Sequence, residues 1–206
     1  MQKNCYAVTV LIVICIIMSN GCKKPCMRND YSFENNNSII QLDKDSIRVG
    51  DTLFFTSIIP TTMTDIFGGG VVNYSNAINF ASDMGFGELT GLNTYAGAVS
   101  SFSIIQQKGN VYTDQNLSPN LVKQLKYVEE NGSYKIIFSI VPLRRGIFSL
   151  SIADMPSVVR DCDRANIKLK FNPTMHNNLH YLKDIYYGGG QVSPLDSTHT
   201  FSFKVY

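Results

Sequence analysis

The sequence has almost no excess of charge of either sign. It carries 18 Lys and Arg residues against 16 Asp and Glu, a formal net charge of +2 at pH 7. Domains that bind nucleic acid usually show a basic footprint, so this balance argues against a nucleic-acid partner. Tryptophan is absent, but Tyr and Phe are abundant and hydrophobic residues make up 44% of the chain. That composition is typical of a globular domain and excludes a disordered one.

Motifs of common enzyme classes are also missing. No Gly-x-Ser-x-Gly elbow occurs, which removes one signature of nucleophilic catalysis. The glycine runs at 68–70 and 188–190 lack the following Lys and Ser or Thr of a phosphate-binding loop. We therefore expect a protein that is not an enzyme and that takes no cofactor.

Histidine is scarce, with only three residues. His176 and His180 stand four positions apart on a predicted helix, a spacing that can chelate zinc. Asp184 extends the row, but i to i+8 spans about 12 Å along a helix, too far for one ion to bind all three. The sequence therefore predicts a polar helix flank and no metal site. A metal-dependent enzyme in which His199 joins this helix is the third functional hypothesis.

One long apolar run is present, from Cys5 to Met18 after the basic residue Lys3. Such a run is typical of a secretory signal and short for a membrane-spanning helix. Small residues then lead into Cys22, and the segment resembles a bacterial lipoprotein signal. The resemblance implies a signal peptide over residues 1–21 and lipidation of Cys22. It also implies anchoring in the outer membrane, facing the periplasm or the cell surface. A secreted protein without lipid and an uncleaved anchor are the alternatives.

Two cysteines remain once the signal is removed and Cys22 is lipidated. Cys26 and Cys162 are then the available pair in an oxidising compartment. We predict a disulfide between them. Two unrelated thiols are the alternative, because the sequence does not show whether their Cβ atoms meet.

The mature chain divides into a tether and one domain. Residues 22–37 are polar and are predicted to be flexible, and residues 38–206 are predicted to form a β-sandwich. About eight or nine short strands separated by turn signals support this fold class. Strands are predicted at 51–59, 95–106, 121–127, 134–141, 147–152, 167–171 and 198–206. Asn131-Gly132 predicts a hairpin, and the glycine-rich segment 85–93 predicts a loop.

One helix is predicted, over about 173–187. Asn172 can cap it and Pro173 suits its first turn. An apolar stripe follows at helical spacing. The predicted fold is therefore all-β, an antiparallel β-sandwich with one short helix in the C-terminal half.

The whole arrangement resembles small lipoproteins of Bacteroidota. The features that carry the resemblance are the Cys22 signal, the segment 46–53 that enters the first strong strand, and the turn and strand at 146–150 ahead of Cys162. The resemblance implies an immunoglobulin-like envelope domain and no particular activity. Three Asp-Ser/Thr-apolar matches look like the O-glycosylation motif of such proteins, and Ser46 and Ser197 are the better candidates among them.

The leading functional hypothesis is a lipid-anchored, non-catalytic binding or interaction module. Tyr186 and Tyr187 beside Gly188 are the candidate ligand-binding residues, since aromatic rings can stack on sugars. The partners expected are the membrane, through Cys22, and a glycan or an envelope protein. The alternative is a structural or assembly subunit of an envelope complex, whose exposed strands would augment a partner sheet.

Overall fold

The computed structural model describes residues 26–41, 45–114, 116–174 and 178–206. The predicted signal peptide, Cys22 and His176 lie outside these ranges. The strands are β1 (Asp30–Gln41), β2 (Ser46–Ile47), β3 (Leu53–Pro60), β4 (Thr62–Thr64), β5 (Val71–Asn73), β6 (Ala81–Gly91), β7 (Thr94–Gly97), β8 (Phe102–Lys108), β9 (Asn110–Tyr112), β10 (Val122–Lys126), β11 (Val128–Glu130), β12 (Ser133–Pro142), β13 (Gly146–Ile152), β14 (Met155–Arg160), β15 (Asp163–Phe171) and β16 (Thr200–Val205). Helix α1 (Leu179–Tyr181) continues as one π-helical turn (Leu182–Tyr186), and α2 (Pro194–His199) precedes β16.

The strands form two large sheets. Sheet A has the order β11-β12-β3-β1-β15-β14, with β8 also paired to β12. Sheet B has the order β2-β16-β13-β6-β10-β9, with β7 also paired to β6. A separate ribbon joins β4 to β5. The predicted all-β sandwich is confirmed, although two strand pairs, β1 with β15 and β16 with β2, are parallel and not antiparallel.

The two sheets pack through aromatic side chains that alternate along the strands. Phe102 of sheet A lies 4.9 Å from Phe148 and 5.7 Å from Phe86 of sheet B, measured between ring centroids. Phe171 of sheet A likewise meets Phe201 of sheet B at 6.5 Å. These rings are almost wholly buried, and burying each one stabilises the fold by about 1.5–3 kcal/mol. The period-2 pattern read from the sequence therefore places the core between the sheets.

The Asn131-Gly132 hairpin is confirmed. It joins β11 to β12, and both residues have positive φ, at 50° and 71°. Asn and Gly tolerate this left-handed conformation, which a two-residue hairpin turn requires.

The predicted disulfide is also confirmed, since Cys26 and Cys162 are bonded with their Cα atoms 5.8 Å apart. The neighbouring chain is held to the same place by other contacts. The amide of Asn29 donates to Asp163 at 3.0 Å, and the amide of Arg164 donates to the carbonyl of Asn29 at 2.9 Å. The chain is thus fixed to the sandwich from Cys26 onward.

The tether prediction is wrong for residues 30–37, which belong to β1. Residues 30–35 pair with β15, and residues 38–41 pair with β3. On the side that β3 does not reach, the amide of Ser32 donates to Asp65 and its carbonyl accepts from the amide of Ile66. Two of its polar side chains are accommodated by local pairing: Glu34 accepts a hydrogen bond from Lys170 at 2.8 Å, and the Ser38 hydroxyl meets that of Ser57 at 3.0 Å. Burial of a polar strand is permitted when such partners exist.

Three further sequence predictions are corrected by the structure. The glycine-rich loop at 85–93 is mostly β6, near the middle of sheet B. The long strand at 95–106 is two strands, β7 and β8, in different sheets. The helix begins at Leu179 and not at Pro173, because Asn178 adopts a left-handed φ of 53° that a continuous helix cannot contain.

Candidate functional site

A cleft of about 450 Å³ lies on the outer face of sheet B. This volume is within the range of sites for small ligands. Its walls come from β6, β7, β13, the segment 117–122 and the helical turns around α1 and α2. The lining residues are Asp83, Gly85, Phe86, Gly87, Leu89, Tyr95, Leu117, Leu121, Val122, Ser149, Ser151, Ile152, Ala153, Leu182, Tyr186, Asp196 and Thr200.

The floor of the cleft is made of small residues on two paired strands. Gly85 faces Ser151, and Gly87 faces Ser149, in the register of β6 with β13. A Cβ at Gly85 would lie 2.5 Å from the Ser151 hydroxyl oxygen, closer than any side chain can approach. Glycine is therefore required here by close packing against the next strand. The result is a flat floor edged with hydroxyl groups.

Two tyrosines stand above this floor. Tyr95 on β7 covers Gly87, with its ring carbon Cδ2 3.3 Å from the place a Cβ would occupy. Tyr186, at the end of the π-helical turn, lies 5.9 Å from Tyr95 between ring centroids. The amide of Asn93 donates to the carbonyl of Tyr186 at 2.8 Å, which ties the helical turn to the β6–β7 connection. The two rings are thus held together by backbone contacts.

The ionisable groups in the cleft are acidic or phenolic. Asp83 lines it, and the buried carboxylate oxygen Oδ1 of Asp83 accepts no hydrogen bond from the described residues. Asp196 also lines it, and its Oδ2 accepts a hydrogen bond from the Tyr187 hydroxyl. Burial raises the pKa of the Tyr186 phenol, so that group is uncharged at neutral pH. Among the described residues that line the cleft there is no lysine, arginine or histidine.

The three ligand-binding residues predicted from the sequence occupy different positions relative to the cleft. Tyr186 lines the cleft. Tyr187 points to Asp196 and supports the wall. Gly188 follows with a left-handed φ of 57° and ends the helical turn against Leu92. Sequence reasoning missed the Gly85–Gly87 floor, because the segment 85–93 was interpreted as a loop and its residues share a face only in a strand. It also missed Asp83 and Tyr95, which join this floor only through the pairing of β6 with its neighbours.

The described histidines do not converge. His180 lies 3.9 Å from Asp45 and His199 lies 3.5 Å from Asp154, each measured from Nε2 to a carboxylate oxygen. His199 ends α2 and does not lie on the last strand as predicted. Within the ranges that the structure describes, no three His, Cys, Asp or Glu side chains are grouped to hold a metal ion.

The two candidate O-glycosylation serines lie in regular structure. Ser46 begins β2 and pairs with Lys204, and it is half-buried. Ser197 is in α2, where its hydroxyl donates to the carbonyl of Pro194 at 2.7 Å. Both remain predictions. For the part of the chain described, no helix is long and apolar enough to cross a membrane.

No protein-family model matches the chain, and no similar sequence was found among curated proteins. Among solved structures it is similar to the Reelin-N domain of F-spondin, with 12% identity, a TM-score of 0.33, and coverage of 69% of this chain and 85% of that one. It is also similar to the human F-spondin reeler domain (fragment 2), with 12% identity, a TM-score of 0.28, and coverage of 67% and 95%. Neither ligand nor function follows from a likeness this low.

Proposed function

We propose that this protein is a lipid-anchored envelope protein whose β-sandwich is a non-catalytic module that binds glycans in the cleft. The observation that carries the glycan proposal is the pairing of Tyr95 and Tyr186 above a floor of glycine and serine. Sugar rings present flat C–H faces to aromatic rings and hydroxyl groups to polar edges, and this cleft offers both kinds of surface.

The buried Oδ1 of Asp83 supports the same ligand class. An acceptor without a donor costs about 1–3 kcal/mol when it is buried, and more when it is charged. A ligand hydroxyl or a bound water can supply the missing hydrogen bond. Glycans are rich in hydroxyl donors, so the group favours them over apolar ligands.

The negative charge of the cleft further narrows the range of ligands that it can bind. Asp83 and Asp196 give the cleft a negative potential, and no basic side chain lines it among the described residues. Like charges repel strongly where water is excluded. The ligand we propose is therefore a neutral or amino-bearing saccharide, and acidic sugars should bind poorly.

Binding to a panel of immobilised neutral, amino and acidic oligosaccharides tests this proposal. Tyr95→Ala and Tyr186→Ala should each weaken binding about three- to tenfold, since an aromatic stacking contact contributes about 0.5–1.5 kcal/mol. Tyr206→Ala is the matched control, because Tyr206 is half-exposed near the C-terminal end of β16, and it lies outside the cleft. Equal binding by all three variants, or a preference for acidic sugars, would refute the proposal.

The second candidate is a structural subunit of an envelope complex, and it rests on the outer face of sheet A. Phe54 and Ile105 are exposed there on either side of Ser139 in the strand register. Photo-cross-linking in cells from position 54 separates the candidates. A structural subunit should give a defined protein adduct from that face, and a glycan module should give none.

A further inference from the structure

An apolar tip projects from one end of the sandwich. It consists of Ile66 and Phe67 in the turn between β4 and β5 and of Val71 at the start of β5. Their side chains are 45%, 84% and 72% exposed, respectively. Soluble proteins rarely expose clustered large apolar side chains unless these meet another surface.

The tip is an ordered turn and not a loose loop. The carboxylate of Asp65 accepts the amide hydrogens of Ser32, at 2.9 Å, and of Gly68, at 2.6 Å. These hydrogen bonds hold the pKa of Asp65 below its ordinary value. The amide of Ile66 also donates to the carbonyl of Ser32 at 2.8 Å, which fixes the tip to β1. Gly69 supplies the left-handed φ of 67° that closes the turn.

The tip lies at the end of the sandwich where the chain enters. In the strand register, Asp30 at the start of β1 pairs with Arg164, next to the Cys26–Cys162 bridge. Strand β3 runs antiparallel to β1 and therefore ends at the same side, at Pro60, just before the tip. Met27 and Ile78 are exposed at this end as well, at 87% and 62%, and Ile78 is bridged to Val159 on β14.

The length of chain upstream sets the distance to the bilayer. Cys26 lies four positions after Cys22, and a fully extended chain covers at most about 3.6 Å per residue. A lipid on Cys22 therefore holds the bilayer surface within about 14 Å of the disulfide. This distance is short enough for the end that carries the tip to touch the membrane.

We propose that the apolar tip of Ile66, Phe67 and Val71 is a second membrane contact that inserts into the lipid bilayer. The inference rests on the proposed lipid anchor for its orientation, and on the described residues for the tip itself. Among the described residues at this end, two basic side chains are paired, Arg28 with Asp30 at 2.7 Å and Arg160 with Asp161 at 3.5 Å. Insertion should therefore depend little on anionic lipid.

The absence of tryptophan provides a direct test. Phe67→Trp creates a single fluorescent reporter in protein that begins at Lys23, which contains every strand of both sheets between Asp30 and Val205. Vesicles of phosphatidylcholine should shift its emission to shorter wavelength. Phe54→Trp is the matched control, because Phe54 is an exposed aromatic residue six positions before Pro60 on β3, about 20 Å away along the strand. It should show no shift.

Partitioning measures the strength of the contact. Phe67→Ser should lower vesicle co-sedimentation about tenfold or more, as expected for exposing a phenylalanine that was buried in lipid. Phe54→Ser should leave co-sedimentation unchanged, and circular dichroism should be that of the wild type for both variants. No response to vesicles, or binding only when phosphatidylglycerol is added, would overturn the proposal. The protein that begins at Lys23 lacks Cys22 and therefore carries no lipid, and the glycan panel contains no vesicles. A tip that does not bind the membrane can therefore be distinguished from a missing lipid anchor and from a cleft that does not bind glycans.

Discussion

The Cys26–Cys162 bridge closes a long loop, and its removal is the perturbation for which the structure gives the clearest magnitude. The two residues are 136 positions apart in sequence. In the chain-entropy model, closing a loop of this length lowers the conformational entropy of the unfolded chain. The loss stabilises the native state by about 5 kcal/mol at 25 °C. Measured values are often lower, so Cys162→Ser should reduce the free energy of unfolding by about 4 kcal/mol.

The native state should change little in this variant. Asn29 still bonds to Asp163 and Arg164 without the bridge, and β1 still pairs with β15 along its length. The effect therefore falls on the unfolded state, where the two ends of the loop become free to separate. For a domain of this size, about 4 kcal/mol lowers the thermal midpoint by roughly 8–16 °C.

Thermal unfolding of protein that begins at Lys23, followed by circular dichroism, measures this change. Strand content before the transition should equal that of the wild type. Cys26→Ser should give the same midpoint, and wild-type protein treated with a reductant should fall to it. A variant that unfolds at the wild-type temperature, or one whose midpoint falls further on adding reductant, would refute the reasoning.

Two other predictions concern the anchor and the core. Metabolic labelling with a fatty-acid analogue should mark the wild-type protein and not Cys22→Ala, and an unlabelled wild type would contradict the lipoprotein prediction. Burial raises the pKa of Tyr127 to about 12, so above pH 10 the unfolded state loses this proton before the native state does. The free energy of unfolding should then fall between about pH 10 and pH 12 and be unaffected below that window. Urea midpoints at pH 8 and pH 11 should show a smaller loss for Tyr127→Phe than for the wild type, and an equal loss would refute the assignment.

The parts of the fold that the sequence predicted are those set by local chemistry. In β12, every second residue from Tyr134 to Ile140 is a buried hydrophobic residue. The Asn131-Gly132 turn before this strand needs positive φ at both positions. The disulfide was predicted from the proposed signal peptide and lipid anchor, which together would leave Cys26 and Cys162 as the two cysteines to pair. In each case the deciding residues are few and their requirement is visible without a partner strand.

The parts that failed depend on contacts between distant residues. Strand β1 has a polar sequence, and it is a strand because β15, more than a hundred residues later, pairs with it. Strand β6 contains glycines that suggest a loop, yet Gly85 is needed because the Ser151 hydroxyl occupies the space of its Cβ. Such requirements come from the neighbouring strand, so composition and spacing within the segment cannot show them.

The same glycines connect the fold to the proposed function. Outward-facing side chains at Gly85 and Gly87 would fill the space below Tyr95 and Tyr186. The segment that the sequence predicted to be a loop is therefore the strand that forms the floor of the cleft. Strand β6 begins at Ala81, close to the Ile78 bridge at the end that carries the tip. At about 3.3 Å per residue, Gly85 and Gly87 lie about 13–20 Å along the strand from Ala81. With the tip in the bilayer, the cleft would open sideways above the membrane surface, where a glycan could enter without passing through lipid.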